Sequence, residues 1–141
     1  MDENKIEEKM DDKIKEIEIF LEELESSLPS DFENYKSDYK IKAICERYFE
    51  KIIEAVVDLA FIFIKEKKFG LPEEDIQAFE ILVENEVISK TLALKLKDAK
   101  GMRNFIAHQY GKINDELVFH AVTEELIPDI KEFILAINSK T

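Results

Sequence analysis

The stretch Ile52-Ile53-Glu54-Ala55-Val56-Val57-Asp58-Leu59-Ala60-Phe61-Ile62-Phe63-Ile64 decides the fold, because apolar side chains point nearly all round a helix drawn through it. A helix with no polar face is either the centre of a bundle or lies at a dimer interface. The helical pattern around it predicts a start near Ser37 or Asp38 and an end at about Lys67, ahead of Phe69-Gly70-Leu71-Pro72.

Upstream, Met10, Ile14, Ile17, Leu21, Leu24 and Leu28 recur at spacings of four and three, which predicts a first helix from about Asp2 to Leu28 with one apolar stripe, ending before Pro29. The stripe reads as a face packed in a bundle, not as an independent coiled coil. Downstream, Pro72-Glu73-Glu74-Asp75 opens a third helix to about Glu84, and Ser89 caps a fourth that reaches Tyr110. Gly101 interrupts the fourth helix, where a small residue lets another helix approach closely or permits a local bend. A fifth helix starts near Asp115 and is expected to kink or break at Pro128 before ending near Asn138. With three glycines, three prolines and no sustained alternation of strand type, the prediction is an all-α, up-down bundle of four to five helices.

A chain of 141 residues accommodates one hydrophobic core, so residues 1–141 are read as a single domain. The lone cysteine, Cys45, lies in an apolar helical pattern and reads as a buried structural residue. Tyr35, Tyr39 and Tyr48 read as amphipathic edge residues. The acidic N-terminus lacks the parts of a signal peptide, and Val56–Ile64 is too short to span a bilayer, so a cytoplasmic location without membrane contact is expected.

Chemistry concentrates in Gly101-Met102-Arg103-Asn104-Phe105-Ile106-Ala107-His108-Gln109-Tyr110-Gly111. Arg103 is able to grip a phosphate through two parallel charge-assisted hydrogen bonds, and imidazole is the side chain that both accepts and donates protons near neutrality. On a helix Asn104 and His108 share a face, about 40° apart, whereas Arg103 and His108 are separated by about 140°. Asn104 is therefore placed to orient His108. Arg103 has to reach round or serve a site completed from elsewhere, most simply by a second copy of the chain. Gly111 reads as the helix C-terminal residue, which sets His108 and Tyr110 in the last turn, at the end of the helix dipole that stabilises cations.

The net charge of −12 opposes non-specific attraction to nucleic acid. Between Lys90 and Lys112, however, six cations stand against the single acid Asp98, a local net charge of +5. Lys95, Lys97, Lys100 and Lys112 are candidate nucleic-acid-binding residues on this ground; a solvated helix face is the alternative for the first three. No grouping of His, Cys or carboxylates has metal-ligand spacing, and no metal or other cofactor is expected. His120 is assigned no chemistry. Glu50 and Glu54 are either surface acids or supports for a site across the bundle.

The spacing Arg103-Asn104, then Ala107-His108-Gln109-Tyr110, resembles the Arg-x4-His-x-Tyr signature of the HepT-like toxins of the HEPN superfamily, small all-helical domains. Arg47-Tyr48-Phe49-Glu50-Lys51-Ile52-Ile53-Glu54-Ala55 and Leu126-Ile127-Pro128-Asp129-Ile130 resemble two further helices of that family. The resemblance covers roughly Glu7 to Asn138, and only the arginine-to-tyrosine motif is specific. It implies a HEPN-like bundle and a metal-independent endoribonuclease in which the 2′-hydroxyl of RNA is the nucleophile. Arg103, Asn104 and His108 would be the catalytic residues, and Lys95, Lys97, Lys100 and Lys112 the RNA-binding ones. It further implies a minimal nucleotidyltransferase antitoxin that attaches AMP to Tyr110. One histidine does not easily serve as both acid and base, so a homodimer is expected. The alternative is a non-catalytic nucleotide-binding or docking module that partners the nucleotidyltransferase.

Overall fold

The computed structural model describes residues 2–108 and 113–141, and every regular element among them is helical. In α1 (Asp2–Ser27), the stripe Met10, Ile14, Ile17, Leu21 and Leu24 is buried against α3 (Tyr39–Lys67). Each aliphatic side chain so buried contributes about 1.5–3 kcal/mol, so packing on α3, more than helix propensity, holds α1 in place.

α3 is the hub, packed against α1 and four further helices. Its buried residues include Ile52, Ile53, Ala55, Val56, Val57, Leu59, Ala60, Phe63 and Ile64, while Glu54 and Asp58, one turn apart, lie on an exposed strip. The start is fixed by Asp38, whose Oδ1 accepts from the backbone N–H of Lys40 (2.9 Å) and Ile41 (3.3 Å). The end is a left-handed cap at Lys68 (φ 58°), with the Phe69 N–H donating to the Ile64 carbonyl at 3.1 Å.

Between these lies α2 (Phe32–Ser37), which the periodicity does not reveal. Asp31 caps it, Oδ1 accepting from the Asn34 N–H at 2.8 Å. Tyr35 is fully buried, 5.4 Å from the Phe119 ring and stacked on Phe32, which corrects its reading as an edge residue. Tyr39 is 75% exposed, and Tyr48 is half-buried against Phe20.

α4 (Asp75–Glu84) starts three residues after Pro72, where Gln77 Oε1 accepts from the N–H of Glu73 (2.8 Å) and Glu74 (3.3 Å). α5 (Lys90–His108) begins at the expected cap, with Ser89 Oγ accepting from the Leu92 N–H at 3.0 Å. It continues without a break through Gly101. That residue is exposed, and a Cβ built on it would meet nothing within 4 Å, so no helix makes a close approach there.

Asn114 caps α6 (Asp115–His120), its Oδ1 accepting from the Leu117 N–H at 3.2 Å. Helical backbone then continues through a π-helical turn (Ala121–Glu125) into α7 (Leu126–Ser139). The expected break at Pro128 is therefore corrected: the irregularity lies upstream, where the Leu126 N–H donates to the Ala121 carbonyl five residues back. Thr123 Oγ donates to the Phe119 carbonyl at 2.6 Å within the same turn. Phe133 of α7 meets Phe79 of α4 edge-on, at a centroid distance of 6.3 Å, deep in the core. Among the described residues no helix is long and apolar enough to cross a membrane.

Candidate active site

α5 carries the motif, and its neighbours α3 and α4 supply the partners of its cations. Arg103, with a side chain 20% exposed, reaches across to Glu54 of α3 and forms an ion pair through Nη2. Its Nη1 donates to Asn104 Oδ1 at 3.2 Å, while Nε is buried without a hydrogen-bond partner among the described residues. Asn104 Oδ1 also accepts from Lys100 Nζ at 3.2 Å, and Lys100 Nζ in turn lies 3.1 Å from Asp75 Oδ2 at the start of α4. The result is one continuous chain of polar contacts: Glu54, Arg103, Asn104, Lys100, Asp75.

A groove of about 380 Å³ is lined by four of these residues, Glu54, Asp75, Lys100 and Arg103, together with Asp58, Val57 and Phe61. Three carboxylates and two cations line its wall. A phosphate entering here would compete with carboxylates for the Arg103 guanidinium, whose planar donors suit either anion.

His108 is the last residue of α5 and is exposed. It lies one turn beyond Asn104, as the spacing predicts, and about 140° from Arg103 around the axis. Asn104 shares a face with His108, while its carbonyl oxygen is engaged by the two cations. Tyr110 and Lys112 lie outside the described residues.

The basic run divides. Lys95 Nζ lies 3.6 Å from Asp129 of α7 and is half exposed, and Lys97 Nζ lies 2.9 Å from Glu80 of α4. Lys100 is buried, at 9% exposure, and so does not belong to a solvated face. Four cations of the segment thus each face a carboxylate from another helix. Of the two undecided acids, Glu54 serves Arg103 across the bundle, whereas Glu50 lies 4.0 Å from Arg47 on its own helix. His120 Nε2 lies 3.8 Å from Glu125. Cys45 is buried, and burial pushes its thiol up to about 11, away from nucleophilic chemistry.

Asp75 is the site member that the sequence showed only as a helix-opening acid. Glu54 had a stronger signal. With Asp58, one turn further on, it interrupts an otherwise apolar run, and that spacing marks the one exposed strip of this part of α3, on which both acids lie.

The family profile described as ribonuclease HepT-like matches residues 10–137. The chain belongs to the HepT-like family. It is 27% identical over 110 residues to the mRNA nuclease HepT of Shewanella oneidensis, covering 78% of this chain and 82% of that one. Against the tRNA nuclease HepT of Aphanizomenon flos-aquae the identity is 25% over 104 residues, covering 74% and 71%. The fold superposes with a TM-score of 0.85 on the tri-AMPylated HEPN toxin of Shewanella oneidensis in complex with MNT antitoxin, at 25% identity over 92% of this chain and 96% of that one. The cytosolic protein YutE of Bacillus subtilis shares the fold alone, with a TM-score of 0.79 at 16% identity over 95% and 89%. The five helices predicted from the sequence are present in this HepT-like fold, with the unpredicted α2 between the first two, so the arginine-to-histidine motif lies on α5.

Proposed function

We propose that this HepT-like protein is a metal-independent endoribonuclease toxin. The observation that carries the reading is the tethered Arg103 with His108 exposed at the end of the same helix, in a chain matched over residues 10–137 by a ribonuclease family. RNA brings its own nucleophile. The 2′-oxygen attacks phosphorus, the bond to the 5′-oxygen breaks, and the products are a 2′,3′-cyclic phosphate and a free 5′-hydroxyl. A base removes the 2′-hydroxyl proton and an acid protonates the departing oxygen; His108 fills one of these roles. Arg103 clamps the charge that accumulates on the non-bridging oxygens, and Asn104 orients the phosphate or the imidazole.

Because Arg103 and His108 diverge on one helix, a homodimer that apposes two motifs supplies the second proton-transfer group. Lys95 and Lys97, in surface pairs that each have one half-exposed partner and are worth little energetically, are able to exchange their carboxylates for RNA phosphates, with Lys112 the further basic candidate from the sequence. By analogy with the AMPylated relative held by its antitoxin, a minimal nucleotidyltransferase is the partner and Tyr110 the acceptor of AMP. Phosphates added beside the arginine would occupy it in place of RNA.

The test is cleavage of RNA by purified, AMP-free protein in the presence of EDTA, with product ends identified. Cyclic phosphate termini and a sedimentation mass of about two chains support the reading. An active monomer removes the composite site, and absence of cleavage removes the nuclease in favour of a docking module.

A further inference from the structure

Lys100 is the one charged side chain among the described residues that is buried in the fold, at 9% exposure. A buried ammonium is costly unless its donors are met, and here two are: Asp75 Oδ2 at 3.1 Å and Asn104 Oδ1 at 3.2 Å. Asn104 Oδ1 is also the acceptor for Arg103 Nη1. One carbonyl oxygen is thus held between two cations. This arrangement fixes the amide, because an NH₂ turned toward Lys100 and Arg103 would set donor against donor. The amide nitrogen is then directed away from the cations, and the guanidinium is held from two sides, by Glu54 and by Asn104.

We infer that Lys100 is a positioning residue for RNA cleavage, acting through Asn104 to hold the orientation of the amide and of the Arg103 guanidinium, with Asp75 as its counter-ion. This rests on the reading of Arg103 and Asn104 as phosphate-binding groups. Lys100 borders the same groove as Arg103, but its side chain is largely buried and its ammonium is engaged by two protein oxygens, Asp75 Oδ2 and Asn104 Oδ1, through which it acts. The chain of contacts makes the start of α4 part of the site, since Asp75 is the first residue of that helix. Misplacing a phosphate-binding group by about an ångström costs up to a hundredfold in rate, which is the scale of effect available to a residue of this kind.

The experiment compares the parent, Lys100→Met, Asp75→Asn, Asn104→Ala and the Lys100→Met/Asn104→Ala double variant on a short single-stranded RNA, each variant first shown to be folded by circular dichroism. Lys100→Met is expected to lower kcat about ten- to a hundredfold while KM and the salt dependence of binding stay as in the parent. In the Asn104→Ala background the same substitution should add nothing further, because the residue through which it acts is gone. Three results overturn the proposal: parental kcat in Lys100→Met, multiplicative losses in the double variant, or a raised KM with a salt slope smaller by about one, the mark of a lost phosphate contact. If Lys100→Met does not fold, Asp75→Asn decides instead. Its carboxylate is half exposed, so the fold tolerates the change, and a smaller kcat loss that likewise disappears in the Asn104→Ala background is required. A parent protein that cleaves no RNA removes the nuclease reading and this proposal with it, an outcome distinct from an active parent whose Lys100 variants are unimpaired.

Discussion

Glu54 of α3 and Arg103 of α5, 49 residues apart in the chain, are joined by an ion pair across the bundle. The carboxylate holds the guanidinium in place and also occupies donors that a phosphate would use. Glu54→Gln keeps a hydrogen-bond acceptor and removes the competing charge. RNA should bind several-fold more tightly at low salt, with a salt slope steeper by about one, in titrations across a range of potassium chloride. Weaker binding would show that Glu54 acts through folding of the site alone.

His108 is exposed, so its replacement should spare the fold and strike the chemistry. His108→Ala is expected to lower kcat by about two to four orders of magnitude with an unchanged melting temperature. Arg103→Ala should lower activity as well, but with a larger loss of RNA affinity than His108→Ala, since it removes a phosphate contact. Parental rates in His108→Ala would end the nuclease reading.

Tyr110→Phe should cleave RNA at near the parental rate and accept no AMP from a nucleotidyltransferase. Intact mass before and after incubation with the partner and ATP measures this directly. A mass increase in the Phe variant would place the modification on another residue.

Lys95 and Lys97 lie in pairs with Asp129 and Glu80 that exchange readily with solvent ions. Changing both to Glu should weaken RNA binding about tenfold or more near physiological salt and flatten its salt dependence, with helical circular dichroism preserved. Equal affinities in the double variant and the parent would assign these lysines to α4 and α7 packing only.

Glu46 of α3 offers a prediction about stability. Burial, then the negative charge of Asp115, raises its carboxyl above the ordinary glutamate value. The folded protein therefore holds this proton more tightly than the unfolded chain does, and stability falls as pH rises from the ordinary value through the raised one. Glu46→Gln should increase the melting temperature at pH 7, and the gain should disappear below about pH 4, where both states of the parent are protonated. An equal difference at both pH values would point to packing instead of charge.

Much of this architecture was legible because helices announce themselves locally. The stripe from Met10 to Leu24, the caps at Asp38 and Ser89, and the apolar run from Ile52 to Ile64 each carry their own physical reason. What stayed hidden depended on tertiary neighbours. α2 is six residues long and owes its place to an aromatic cluster completed by Phe119, far along the chain. Gly101 has the same sequence appearance whether it faces a helix or, as it does, solvent. The motif showed Arg103, Asn104 and His108 as a group, but Lys100 looked like one more surface lysine in a basic run. Only the approach of α4 and its Asp75 makes it an interior residue.

The π-helical turn at Ala121–Glu125 has a consequence for how this polypeptide tolerates changes in its length. Val118, Val122, Leu126 and Ile130 follow one another at intervals of four, a pitch too long for a regular α-helix, and yet all four are buried. The widened turn absorbs one surplus residue and brings the apolar positions before and after it back into phase. Removing a single residue there, Thr123 for example, would restore regular winding with the flanks still in phase, whereas winding the full set of residues as a regular α-helix would turn α6 by about 100° relative to α7. Phe119 would then swing away from Phe32 and Tyr35, while the far half of the helix kept its seat against α5. The turn is thus a phase adjuster, and the aromatic corner is anchored to the bundle through one extra amino acid.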